Sequence, residues 1–313
     1  MMIVAIEIAW LFFVLPSMEM VHHRLFQSLH PNAGKKNRFL DWYFEFFYVL
    51  IRRPAQDTEP YLSFARKGLL YVALVFPLVA LLTFASGALS VLMVLGLMFC
   101  LGIIYLLMGF TFEKNFIALY ALEKSLLRQS VVLVLFGAIF AAPFITWNSS
   151  LHDIAVAQMS PLLGSLPALG VFRNPIAFLC ACVALSIHLK QWEEDEFPLP
   201  ALLRKPMQSE LFGIDLLSFK IARTLEHLAF YSLIAFVFLG GPYLGDLNIE
   251  PWFALGIVTA KIFFVAFVVI GIHFWTPRMQ QNQLLRLIFL VLLPLELASY
   301  PLSLLLNELL MHY

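Results

Sequence analysis

Of the 313 residues, 61% are hydrophobic and 13% charged, and the mean hydropathy is +0.86. No polar stretch is long enough to enclose a water-soluble core, so the composition excludes an ordinary soluble domain. Twenty basic and twenty acidic residues cancel, which removes any global field that would draw nucleic acid or an acidic substrate.

The chain reads as an all-α integral membrane protein, a single membrane domain over 1–313. Its first apolar run, MMIVAIEIAWLFFVLPS, lacks a basic n-region and a small-residue cleavage site, so a retained helix near 2–18 is expected. Segment 38–53, RFLDWYFEFFYVLIRR, places Leu40, Tyr43, Phe47 and Leu50 on one stripe. That is the pattern of an amphipathic helix lying at the cytoplasmic interface. Apolar runs of roughly 17 to 25 residues then predict spans near 66–84, 87–110, 126–146, 172–190, 216–240, 252–275 and 284–306, about eight in all. Cys100, Cys180 and Cys182 lie inside such runs with no metal-ligand spacing and read as helix packing. No internal repeat is evident.

Between the spans, lysine and arginine fall in alternate connections, including Lys35, Arg52, Arg53, Arg204, Lys205 and Arg278, whereas 147–171 and 241–251 carry neither and hold acids such as Asp153, Asp246 and Glu250. The basic connections are expected on the cytoplasmic side of the inner membrane, with both termini on the other side.

Several segments resemble the H-subunit family of complex I (NADH:quinone oxidoreductase), which includes mitochondrial subunit 1 and the related membrane subunit of energy-converting nickel–iron hydrogenases and formate hydrogenlyase. Glu19 to Gly34, EMVHHRLFQSLHPNAG, is similar to the family's passage after its first helix, with Glu19, Pro31 and Asn32 matching. Ala121–Gln158, with Gly137 and an Asp153-Ile-x-x-Ala-Gln ending, resembles the family's fourth helix and its loop. Gly170 to Leu179, with Pro175, resembles the start of the fifth helix, Asn174 standing where the family has glutamine. The strongest likeness is Lys261 to Leu295, KIFFVAFVVIGIHFWTPRMQQNQLLRLIFLVLLPL, which resembles helices seven and eight. Set in register through Gly137 and Pro175, the family's glutamates in helices four and five fall at Arg128 and His188. The helix-six glutamate falls at Arg223, with Glu226 one turn on.

The resemblance implies a membrane anchor that catalyses nothing alone. The redox centres would belong to soluble iron–sulfur and catalytic subunits docked on the cytoplasmic side, with antiporter-like membrane subunits and lipid as further neighbours. It implies no covalently bound cofactor and leaves a quinone as an open candidate ligand. Ionisable residues within spans are costly and mark functional sites by default, so Glu226, Lys261, His188 and Glu296 are the candidates for a proton or ion path, with Glu226 and Lys261 expected to share a polar axis. Arg52, Arg53, Glu193, Glu194, Asp195, Glu196, Arg204, Lys205 and Arg278 are candidates for the docking surface. A stand-alone secondary transporter is the alternative, with Glu226 and Lys261 contacting its substrate or coupling ion. A scaffold paralogue that has lost coupling is another.

Overall fold

The structure is a computed structural model, and it describes residues 10–11, 13–18, 60–86, 90–112, 115–141, 150–159, 161–163, 166–167, 169–193, 211, 213–243, 251–275 and 281–311. The expected amphipathic helix at 38–53 lies outside these residues, as do most of the expected docking positions.

Residues 13–18 are helical, as expected for the first span. The helices that follow are α1 (Pro60–Ser86), α2 (Val91–Phe110), α3 (Asn115–Phe140), α4 (Leu151–Ala157), α5 (Gly170–Arg173), α6 (Pro175–Glu193), α7 (Gly213–Leu239), α8 (Pro251–Trp275), α9 (Gln281–Leu287) and α10 (Leu293–Met311). Proline opens α1, α6 and α8, the position where its fixed φ suits a helix and its missing N–H has no intrahelical role. A short antiparallel pair, β1 (Pro161–Leu163) with β2 (Leu166–Pro167), interrupts this all-helical architecture.

Five helical stretches among the described residues are long and apolar enough to cross a bilayer: Phe64–Leu82, Val91–Phe110, Ile214–Leu239, Trp252–Trp275 and Asn282–Leu305. A shorter apolar helix covers Pro175–Leu189. The span expected at 126–146 overlaps α3, which begins at Asn115 and ends at Phe140; residues 142–146 of that expectation lie outside the described residues. The first fourteen residues of α3 carry Glu123, Lys124 and Arg128, which a purely apolar window passes over, yet these are good helix formers and continue the backbone ladder. The connection expected over 147–171 also holds more structure than a loop, namely α4, the strand pair and α5.

The described residues fall into two compact units. The first draws on Met1–Leu82, Cys100–Leu126 and Glu193–Ala229. Within it, the Ser125 hydroxyl on α3 donates to the Gly102 carbonyl on α2 at 2.7 Å, an interhelical bond of the kind apolar spans use in lipid. Gly109 and Ala121 let the same two helices approach until a Cβ on Gly109 would strike the Ala121 methyl. Tyr105 meets Phe219 edge to face at 5.7 Å, and the Arg66 guanidinium lies 5.0 Å over the Phe112 ring, a cation–π contact.

The second unit draws on Thr83–Phe99, Leu127–Trp192 and Phe230–Tyr313. Here Phe178 of α6 packs edge to face on Phe238 of α7 at 5.6 Å, and Gly170 passes so close to α7 that a Cβ would stand 2.7 Å from the Val237 carbonyl oxygen. α9 and α10 are joined by a π turn, Ile288–Leu292. Pro294 follows one residue after it; its missing N–H and its clash with the carbonyl four residues back disfavour a regular α turn there. α7 is the most enclosed span, 83% of its apolar stretch being buried against 28% for Asn282–Leu305. Phe253, Phe267, Leu290, Leu297 and Trp275 are exposed instead, a face that hydrocarbon solvates at no cost.

Candidate functional site

The polar groups of the second unit gather at the end of α7. That helix stops where Gly240 and Gly241 take φ values of +73° and +53°, conformations that glycine adopts without strain. The Gly241 N–H reaches back to the Ala235 carbonyl at 3.2 Å, closing the turn as a Schellman-type cap. Two side chains from other elements then bind carbonyls at this end.

Lys261, ten residues into α8, directs its Nζ to the carbonyls of Leu239 at 2.6 Å, Gly241 at 2.9 Å and Tyr243 at 2.6 Å. An ammonium has three donors, and all three are engaged by backbone oxygen at a helix C-terminus, where positive charge is favoured. The sequence suggested a shared axis with Glu226; the hydrogen bonds of Lys261 go to the chain terminus of α7.

Gln158, just after α4, is fully buried. Its Nε2 donates to Phe236 and Val237 carbonyls, each at 2.9 Å, and to Ile154 at 3.3 Å, while its Oε1 accepts from the Gly170 N–H at 3.0 Å. One amide thereby ties α4, α5 and the last turn of α7.

A third polar group bridges α3, α6 and α10. Asn174 caps α6 through its Oδ1, which accepts from the Ala177 N–H at 3.0 Å. Its Nδ2 donates to the Ala141 carbonyl and to the Ser299 hydroxyl, both at 3.1 Å. Ser299 in turn donates to the Glu296 carbonyl at 2.8 Å. The Glu296 carboxyl, 2% exposed, lies against Gly137 of α3, where a Cβ would come within 2.5 Å of Oε2.

His188 is fully buried in α6, its ring edge-on to Phe230 at 5.4 Å between centroids. Arg128 of α3 is buried in the same unit. Glu226, fully buried, and its neighbour His227 belong to the part of α7 in the first unit. Glu193 is the last residue of α6. Arg52, Arg53, Glu194, Asp195, Glu196, Arg204, Lys205 and Arg278 lie outside the described residues. No group of three or more His, Cys, Asp or Glu among the described residues is arranged to hold a metal ion.

At the surface, α4 begins with a capping box: the Asp153 N–H donates to the Ser150 hydroxyl, and the Asp153 carboxylate accepts from the Ser150 N–H and hydroxyl. Those bonds hold the Asp153 carboxyl below its ordinary value, so the cap is intact above the usual carboxylate range and is lost as pH falls through the lowered value. His152 Nδ1 and the Tyr243 hydroxyl, 3.1 Å apart, join this helix to the segment that Lys261 binds.

In the sequence, Gln158 and Asn174 stood out only as letters of a pattern. The available signal was chemical: uncharged amides beside span ends, flanked by glycine and proline, stand where backbone groups lose their helical partners.

A family model for NADH dehydrogenase matches residues 51–304. Among curated proteins, the H subunit of NADH-quinone oxidoreductase from Geobacillus kaustophilus (strain HTA426) is 29% identical over 160 residues, 50% of this chain and 44% of that protein. The corresponding proteins of Geobacillus thermodenitrificans (strain NG80-2) and Bacillus mycoides (strain KBAB4) are each 29% identical, over 137 and 143 residues, covering 42% and 44% of this chain and 40% and 41% of theirs. The matched stretches span less than half the length of these relatives. With apolar helices of membrane-crossing length and a family match over most of its residues, this integral membrane protein belongs to the NADH dehydrogenase family, that of the complex I H subunit, as a divergent member.

Proposed function

We propose that the chain is the membrane anchor and coupling subunit of a complex I-like or membrane-hydrogenase-like respiratory assembly in the cytoplasmic membrane. The observation that carries this reading is the burial of Arg128, His188, Glu226, His227 and Glu296 within a protein built from apolar helices. Such groups are expensive in a bilayer and persist where ions or protons pass. The names of the relatives support the setting. Partner subunits would carry the redox centres, with a quinone or protons as the electron acceptor. The charged connections with Arg52, Arg53, Glu193, Glu194, Asp195, Glu196, Arg204, Lys205 and Arg278 would form the floor on which the soluble subunits dock.

Glu226 is the group on which coupling is tested. Glu226→Gln keeps the shape and removes the titratable proton, so in vesicles containing the whole assembly it is expected to lower ion uptake about tenfold or more per redox turnover, as loss of a proton-transfer group does. Assembly should persist. Uptake and turnover equal to the parent would favour the scaffold reading, which the capping role of Lys261 also supports.

Sidedness follows from the charge distribution. With lysine and arginine retained on the cytoplasmic side, a cysteine at 152 or 246 should react with a membrane-impermeant maleimide only from the outer side. Reaction from the cytoplasmic side refutes the assigned topology.

A further inference from the structure

We propose that Glu296 is a proton-binding site inside the membrane, its carboxyl seated against the bare backbone of Gly137. Its effect on translocation rests on the coupling reading above, whereas its occupancy by a proton does not.

Glu296 is 2% exposed, and neither carboxylate oxygen has a hydrogen-bond partner among the described residues. An ionised carboxylate there would have lost water without gaining a donor, the costliest state for a buried charge. A carboxylic acid carrying its proton fits the same space at far lower cost.

The seat is specific to the side chain. Oε2 occupies the region that a Cβ on Gly137 would claim, and the Cδ2 of Leu293 lies 3.9 Å from that Cβ position. Gly137 stands in the last turn of α3, and what occupies the opening left by its missing side chain is a carboxyl. From α6, the Cys180 thiol lies within electrostatic reach of the Glu296 carboxyl. From α3, the group that meets it is Gly137.

A polar surround lies within one turn. Ser299 and Asn174 form a hydrogen-bonded pair linking α10 to the start of α6 and the end of α3. The backbone of α10 is also irregular on both sides of the site, with the π turn at Ile288–Leu292 before it and Pro301 after it. Pro301 lacks the N–H that would ordinarily bond the Leu297 carbonyl. Within a membrane such openings in the helical ladder occur where water or neighbouring polar groups supply the missing bonds, and π turns recur at functional sites.

The experiment uses the full chain in its assembly, in vesicles, with dicyclohexylcarbodiimide as an apolar probe that adds across a protonated carboxyl. The acid proton passes to the carbodiimide nitrogen, the carboxyl oxygen bonds the central carbon, and acyl migration leaves a stable adduct with no leaving group. The expected result is an adduct at Glu296 by mass spectrometry. Its yield should fall about tenfold per pH unit once the site deprotonates. An infrared carbonyl band of a protonated carboxyl should disappear in Glu296→Gln and shift in Gly137→Ala. No adduct at Glu296 in the parent, together with an unchanged infrared spectrum in Glu296→Gln, overturns the proposal. Labelling of the parent requires no variant to fold. An adduct at Glu296 alongside unaltered ion uptake in Glu226→Gln separates the two proposals, upholding the proton site while removing Glu226 from the path.

Discussion

Replacing Gln158 by leucine is expected to lower the stability of the purified protein by about 2–4 kcal/mol, read as a fall in its denaturation midpoint in detergent. Leucine keeps most of the volume but removes one acceptor and a donor group shared by three carbonyls. The Gly170 N–H and the Phe236 and Val237 carbonyls lose their bonds at a site where Gln158 is fully buried. Each buried group left without a partner costs about 1–3 kcal/mol. Water cannot easily compensate, because Gly170 approaches α7 too closely to leave room beside the Val237 oxygen. Gln158→Glu supplies a sharper comparison. It preserves size, but sets an oxygen where Nε2 now faces three carbonyls, so it should destabilise at least as strongly as leucine does. A midpoint unchanged in both variants would mean that α4, α5 and the end of α7 are held by apolar packing alone.

Lys261→Met is expected to have the other large effect, and it separates a structural role from a coupling role. Methionine retains the unbranched chain and removes the ammonium that donates to the Leu239, Gly241 and Tyr243 carbonyls. Hydrogen bonds to charged groups contribute about 1.5–3 kcal/mol each. The three share one ammonium and are not additive, so a loss of about 2–3 kcal/mol is anticipated, together with faster proteolysis after residue 239. Lys261→Arg keeps the charge, but a planar guanidinium cannot aim its donors at three converging carbonyls as a rotating ammonium does, and only partial recovery should follow. Loss of ion uptake with full stability in Lys261→Met would instead restore the lysine to the ion path.

What the sequence by itself determined is the class of the molecule. A long apolar run is visible without knowing its neighbours, because lipid selects each helix by its own length and composition. The spans expected at 216–240 and 252–275 accordingly coincide with α7 and α8 almost residue for residue. The resemblance was legible too, in stretches such as Lys261 to Leu295 that carry their own pattern. Helix ends were less legible. α3 starts eleven residues before the expected 126, since a charged first half hides a helix from any hydropathy window. Only the tertiary structure decided what the polar side chains do. Lys261 looked like the partner of a carboxylate and instead caps a helix from another part of the chain, with partners 18 to 22 residues away in sequence. Gln158 finds its acceptors 78 and 79 residues on, and Glu296 faces a glycine on a helix that ends more than 150 residues earlier. Spacing along one helix reports which residues share a face, but hydrogen bonds between elements depend on how those elements are packed. The burial of Glu296 against Gly137 is such a fact, present in the fold and absent from any local pattern.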